Sequence, residues 1–281
     1  MIHPEFFFNV CKKEDVDFFS GVPDSLLKNI CSYIADNTPS ENHIIAANEG
    51  NALAIGVGYH LSTGKVPLIY MQNSGLGNVI NPLLSLADQD VYSVPLLMMI
   101  GWRGEPGVKD EPQHKKQGRV TVALLEAMEI PYKVLTADSN IEEAEVTLKA
   151  MLSIAKKENK PCALLIKKGF FEDYKFQSDI LYERPLYREQ AIEIIVNNLN
   201  EPDIVVSTTG VASRELFEYR EKLKSGHEKD FLTVGGMGHT SQIALGIALQ
   251  KKNRQIYCLD GDGSLIMHMG TLAINASMNC R

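Results

Sequence analysis

Val94-Pro95-Leu96-Leu97-Met98-Met99-Ile100 is a seven-residue apolar run without a single polar side chain. A run this short that is apolar at consecutive positions fits a strand buried on both faces. Working outward, similar runs stand at Asp17–Phe19, His43–Ala46, Val66–Met71, Tyr132–Leu135 and Cys162–Ile166, and the segments between them carry helical period. That alternation predicts an α/β fold with a parallel sheet covered by helices. Pro23-Asp24-Ser25 can open the first crossover helix, Asn48 can cap the second, and Asp138-Ser139-Asn140 precede the acidic first turn of the last.

From Lys168 to Pro185 the pattern breaks into an aromatic and charged stretch, and 168–185 reads as a linker. The first domain is then 1–167 and the second 186–281. In the second, helices are expected over Tyr187–Asn198, Ala212–Leu223 and Thr240–Gln250, and strands over Asp203–Ser207, Phe231–Val234 and Gln255–Leu259. A last helix is expected from Ser264 to the end. Three strands make a small sheet, so the second domain reads as incomplete, truncated at its C-terminus.

The 281 residues carry a formal net charge of −7, which gives no basic footprint for nucleic acid or an anionic membrane. No apolar run reaches the length of a membrane span, and Phe6-Phe7-Phe8 is too short for a signal peptide. Five scattered cysteines form no CxxC pair, which fits reduced thiols and a cytoplasmic location.

Three segments carry chemistry. Gly261-Asp262-Gly263-Ser264 follows an expected strand, where backbone N–H groups can approach phosphates while the carboxylate holds a divalent cation. Taken alone, the same tripeptide is also an ordinary strand-to-helix turn. Gly235-Gly236-Met237-Gly238-His239 sets one large apolar side chain among residues with almost none. Glu49 opens a helix of small residues, Ala52, Ala54, Gly56 and Gly58, suited to close packing at an interface. Shielded there from water, Glu49 could exchange a proton near neutrality.

In this order on two α/β domains, these segments resemble the cofactor sites of thiamine diphosphate-dependent decarboxylases. Further segments narrow the likeness to the small group acting on phosphono- and sulfopyruvate. They are Gly21-Val22-Pro23-Asp24-Ser25, Met71-Gln72-Asn73-Ser74-Gly75-Leu76-Gly77-Asn78, Gly101-Trp102-Arg103-Gly104-Glu105-Pro106 and Lys109-Asp110-Glu111-Pro112-Gln113-His114.

The resemblance implies a pyrimidine-binding first domain and a diphosphate-binding second domain. Glu49 would bond N1′ of the aminopyrimidine, Gly235 would offer a carbonyl to the 4′-amino group, and Met237 would bend the cofactor. Asn73, Gly238, His239, Gly261, Gly263 and Ser264 would complete the cofactor contacts, and Asp262 would bind Mg²⁺. Asp24 and His114 would serve the proton transfers of decarboxylation. Arg103, Lys109 and Gln113 would hold the phosphonate of the 2-oxo acid substrate, whereas Lys115 and Lys116 are expected on a solvated face.

The resemblance further implies at least a homodimer, with Glu49 and Asp262 of one site drawn from different chains. One departure is plain: the family's metal motif continues to an Asn-Asn pair, whereas Asn275 and Asn279 stand without an adjoining Asn. Sulfopyruvate as substrate, or a non-catalytic chain that keeps the pocket for association, therefore stays open.

Overall fold

The computed structural model describes residues 1–177 and 185–278, in two compact units, Met1–Asp179 and Ile180–Arg281. The first unit contains α1 (Pro4–Lys13), β1 (Phe19–Gly21), α2 (Lys28–Asn37), β2 (His43–Ile45), α3 (Glu49–Thr63) and β3 (Leu68–Gln72). It continues through α4 (Leu76–Pro82), β4 (Leu97–Gly101), α5 (Pro112–Ala127), β5 (Tyr132–Leu135), α6 (Ile141–Glu158) and β6 (Cys162–Ile166). The six strands form one wholly parallel sheet in the order β2-β1-β3-β4-β6-β5.

The apolar runs are two-sided, as parallel strands require. Leu68, Tyr70, Leu97, Met99 and Leu164 face a core shared with Phe7, Ile30 and Leu148, while Ile69, Met71, Met98, Ile100 and Leu165 face Leu53, Val79 and Leu125. Alternate residues of each strand thus bury against helices on opposite faces.

Local chemistry sets the helix ends. Asn48 Oδ1 accepts from the Asn51 N–H at 2.9 Å, and Asn140 Oδ1 from the Glu143 N–H at 2.8 Å. Glu142 and Glu143 in the first turn of α6, and Lys156 and Lys157 in its last, complement its dipole.

Two differences from the sequence reading have a common cause. Pro4 occupies the first turn of α1, a helix that the strand pattern did not predict, and Phe7 meets Phe170 and Phe171 edge to face at 6.4 and 5.5 Å. Phe170 and Phe171 are therefore core side chains, and Ile2 pairs with Phe171 in an isolated bridge. Residues 168–177 of the expected linker lie in the first unit, and 178–184 lie outside the described residues. The helix expected to open at Pro23 begins at Lys28 instead, because Asp24 is drawn onto the end of the sheet.

The second unit contains α7 (Arg188–Asn197), β7 (Ile204–Ser207), α8 (Val211–Leu223), β8 (Asp230–Leu232), α9 (Thr240–Gln250), β9 (Ile256–Leu259), α10 (Asp262–Met267) and α11 (Thr271–Ser277). Its three strands are parallel in the order β8-β7-β9 around Val205, Ile192, Val196 and Leu216. The expected final helix is broken at His268–Gly270 into α10 and α11, and residues 279–281 lie outside the described residues. No described helix is long and apolar enough to cross a membrane. Cys11, Cys31, Cys162 and Cys258 are all free thiols.

Candidate active site

In the first sheet the chain leaves β1 for β2 on one side and β3 for β4 on the other. The carboxyl ends of β1 and β3 therefore diverge, and a crevice opens there for a ligand. Asp24 follows β1 and Gln72 ends β3, and Asp24 Oδ1 accepts from Gln72 Nε2 at 2.7 Å. Asp24 Oδ2 accepts from the Leu26 N–H at 3.0 Å and lies so near Gly101 that a Cβ there would meet it at 2.4 Å.

Asp24 is buried, and that burial holds its carboxyl above the usual carboxylate range. The Gln72 and Leu26 bonds and the nearby Arg103 charge act in the opposite direction. Ser74 Oγ donates to Gln72 Oε1 at 2.7 Å, so a hydroxyl, an amide and a carboxyl form one chain across the crevice.

Glu49 stands at the first position of α3 and is 4% exposed. Its Oε2 accepts from Asn78 Nδ2 at 2.7 Å. The turn Asn73–Gly75 closes over it so tightly that a Cβ on Gly75 would lie 2.5 Å from Glu49 Cγ. Glycine is thus required at 75 by close approach rather than by an unusual φ.

Asn73 clamps the neighbouring loops. Its Nδ2 donates to the Arg103 carbonyl and to Thr121 Oγ1 at 2.9 and 2.8 Å, and its Oδ1 accepts from the Arg103 N–H at 3.1 Å. Both amide hydrogens and one of the two acceptor positions of the amide oxygen are used within the chain.

Arg103 is an organised fork. Nε and Nη2 donate to Asp110 at 2.8 and 2.5 Å, and Nη1 donates to Ser25 Oγ at 2.7 Å. Asp110 also accepts from the Gly104 and Glu111 N–H groups. The guanidinium first, with those amides, holds the Asp110 carboxyl far below the usual range. The loop then seats on α5 through glycine: a Cβ on Gly118 would lie 1.7 Å from the Gly104 carbonyl oxygen.

This seating fixes His114 in the first turn of α5. Burial, followed by the Arg103 charge, holds its imidazole below its usual range, while Asp110, Asp24 and Glu111 pull it upward. The Gln113 Oε1 atom is buried without a partner, whereas Lys115 and Lys116 are exposed.

Arg103 and Lys109 line a cavity of about 470 Å³ together with Ser25, Asn29, Glu105, Asp110, Lys168 and Asp173. Asp24, Gln113, His114 and Glu49 are not among its walls.

In the second unit, the loops after β7, β8 and β9 likewise leave the carboxyl edge of a parallel sheet. The Gly238 N–H donates to Ser264 Oγ at 3.0 Å, which ties the glycine cluster to Gly261-Asp262-Gly263. Gly236 and Gly238 take φ of 69° and 89°, values natural to glycine. His239 lies beside His268 with ring centroids 4.9 Å apart, and Met237 is 46% exposed.

Asp262 is exposed, and its Oδ1 accepts from the Gly263 N–H at 2.8 Å. Among the described residues no group of three or more His, Cys, Asp or Glu side chains is arranged to hold a metal.

The sequence reading missed Ser207, Thr208 and Thr240. All three are buried with hydroxyls that lack a partner, as does His268 Nε2. An unsatisfied buried polar group costs about 1–3 kcal/mol, so the hydroxyls of Ser207 and Thr208 at the end of β7 and of Thr240 at the start of α9 are groups that a polar ligand would compensate. Their only sequence signal is Ser207-Thr208-Thr209-Gly210 at a strand end, a pattern that ordinary turns share.

The thiamine pyrophosphate enzyme N-terminal TPP binding domain matches residues 4–125, and the C-terminal TPP binding domain of the same enzymes matches residues 209–280. The chain is 32% identical over 269 residues to a phosphonopyruvate decarboxylase of Streptomyces viridochromogenes, a match covering 90% of this chain and 65% of that protein. The chain thus spans just under two thirds of that relative's length.

Sulfopyruvate decarboxylase of Methanocaldococcus jannaschii matches in two parts. Its alpha subunit is 36% identical over 167 residues, covering 59% of this chain and 93% of the subunit. Its beta subunit is 38% identical over 92 residues, covering 33% of this chain and 46% of the subunit.

Two outcomes follow from the geometry. Gly75→Ala forces a methyl group into Glu49, and overpacking of this kind costs about 1–3 kcal/mol, read as a lower Tm than the parent. A variant melting with the parent would show that Glu49 is free to move aside. Asp24 binds its proton more tightly folded than unfolded, so its contribution to stability is complete below the ordinary value of 3.8 and is lost as pH rises through its raised value. Asp24→Asn should therefore be more stable than the parent at pH 7, with the advantage vanishing in acid. Urea unfolding across pH measures this, and a constant difference would contradict it.

Proposed function

We propose, from the premise that this chain belongs to the thiamine pyrophosphate enzymes, that its protein decarboxylates phosphonopyruvate to phosphonoacetaldehyde and carbon dioxide. The observation that carries this reading is the meeting, on one carboxyl edge of one sheet, of buried Glu49 with a crevice acid and a cavity lined by Arg103 and Lys109. A 2-oxo acid with a second anion needs such a set. The 32% identity to phosphonopyruvate decarboxylase supports the choice of substrate.

The residues present fit the cofactor. Glu49 would hold the aminopyrimidine, and the unpartnered hydroxyls of Ser207, Thr208 and Thr240 would receive the diphosphate, together with Gly261 and Gly263 once their amides exchange Asp260 and Asp262 for it. Asp262 would hold Mg²⁺ together with diphosphate oxygens, since one carboxylate alone leaves most of an octahedral shell to other oxygens. Gly235, Met237, Gly238, His239 and Ser264 would shape the pocket around it. When bound, thiamine diphosphate supplies the electron sink into which the carboxylate's electron pair passes.

The chain's own residues manage protons and charge. Glu49 Oε1 holds and returns a proton at the pyrimidine. Asp24, whose carboxyl burial holds above the usual range, supplies the proton that replaces carboxylate on the carbon, and His114 takes up the separate proton given off by the hydroxyl as the aldehyde is released. Arg103, with two N–H groups not engaged by Asp110 or Ser25, orients the phosphonate beside Lys109, and Gln113, outside the walls of that cavity, keeps the substrate contact that the family likeness implies. As implied by the family likeness, the working protein is at least a homodimer, and its scattered cysteines, with no CxxC pair, support a cytoplasmic location.

Assay of the full-length protein with thiamine diphosphate and Mg²⁺ should give phosphonoacetaldehyde from phosphonopyruvate faster than acetaldehyde from pyruvate. Equal or better use of pyruvate would remove the substrate reading, and a preference for sulfopyruvate would replace the phosphonate with a sulfonate. Glu49→Gln keeps a hydrogen bond but cannot exchange the proton. Deuterium exchange at the cofactor's thiazolium carbon should then slow by about 10²–10⁴-fold, and near-parent exchange would defeat the role given to Glu49.

A further inference from the structure

Lys168 lies in the stretch that sequence pattern reads as a linker, yet it forms part of the wall of the 470 Å³ cavity. Its backbone is anchored on both sides. The preceding Lys167 N–H donates to the Leu135 carbonyl at 2.9 Å, and Phe170 and Phe171 immediately beyond are buried in the core. Gly169, with φ of 81°, turns the chain between those anchors. Lys168 Cα is thereby held at the rim while its side chain stays exposed.

Most other charges around this cavity are already paired. Arg103 and Asp110 hold each other, Glu105 faces Lys167 at 3.5 Å, and the Met1 ammonium donates to the Ala137 carbonyl. Asp173 accepts from Asn29 Nδ2 at 3.4 Å. Lys109 and Lys168 have neither a hydrogen bond nor an ion pair among the described residues. Two unpaired ammonium groups thus share a cavity with one carboxylate that lacks a cationic partner.

We propose that Lys168 acts with Lys109 to receive the terminal oxyanion of the 2-oxo acid, and that the pair favours a doubly charged phosphonate over a singly charged sulfonate. This rests on the decarboxylase reading above. A second ammonium adds attraction for each added negative charge, so the pair discriminates by charge where shape alone cannot, the two tetrahedral groups being nearly the same size. The two linear amines add charge beside Arg103, three of whose five N–H groups are held by Asp110 and Ser25.

The test uses the full-length holoenzyme and two variants, Lys168→Met and Lys168→Arg. Lys168→Met should raise KM for phosphonopyruvate about 10-fold or more, raise it less for sulfopyruvate, and leave pyruvate KM and all kcat values near the parent's. Competitive inhibition by phosphonoacetate should weaken in step, and Lys168→Arg should recover most of the loss. Unchanged thiamine diphosphate affinity and circular dichroism would show that the variants fold.

Equal changes for all three substrates, or a loss confined to kcat, would overturn the assignment. Weaker inhibition by phosphonoacetate or inorganic phosphate with an unchanged phosphonopyruvate KM would also overturn it, placing the lysine in a separate anion site. Failure of the parent enzyme to use phosphonopyruvate at all would overturn the function itself, and is seen before any variant is compared.

Discussion

Every strand in both units runs parallel to its neighbours, and this one constraint collects the chemistry. A parallel strand cannot return through a tight hairpin, so each crossover needs a helix, and every strand ends at the same edge. Asp24, Gln72, Arg103 and Lys168 follow or end four different strands and still reach one face of one unit. The glycine clusters after β8 and β9 share an edge in the other unit for the same reason. The reversal of strand order at β1 and β3 then opens the crevice that Asp24 and Gln72 bridge.

Within the first unit, the Asp110 carboxylate organises what the sheet collects. It binds the Arg103 fork and two backbone N–H groups, in the bidentate geometry that makes arginine pairs specific. Arg103 in turn reaches Ser25 by its side chain and Asn73 by its backbone, so the loops after β1, β3 and β4 hold one another. The close pass of Gly104 over Gly118 adds α5 and His114 to the same assembly. The positive charge of Arg103 is largely answered by Asp110, which leaves the lysines as the open cations of the cavity.

Much of this was legible in the chain. Apolar runs two-sided in burial announced the parallel sheets, and Asn48 and Asn140 announced two helix starts that the hydrogen bonds match. Glu49 could be singled out because a charged residue before a run of small ones is unusual, and its burial follows from the glycines that let α3 and the Asn73–Gly75 turn close on it. Ser207, Thr208 and Thr240 were not legible, since hydroxyls near strand ends are ordinary and only the lack of an internal partner distinguishes them. Nor was the internal clamp of Asn73 legible: its type suits a ligand contact, and only the fold shows three side-chain bonds to other parts of the chain.

What the sequence by itself determined is whatever depends on neighbours in the chain: the period of strands and helices, the caps, the glycine turns and the residue types fit for cofactor and proton chemistry. Only the tertiary structure decided which of those groups are already bound to one another. Periodicity placed Phe170 and Phe171 in a linker because the stretch has no repeat, whereas the edge-to-face packing of Phe7 draws them into the core. Lys168 is held at the cavity as a consequence. Charge is read from composition, but whether a charge is free depends on long-range partners, and no local pattern records them.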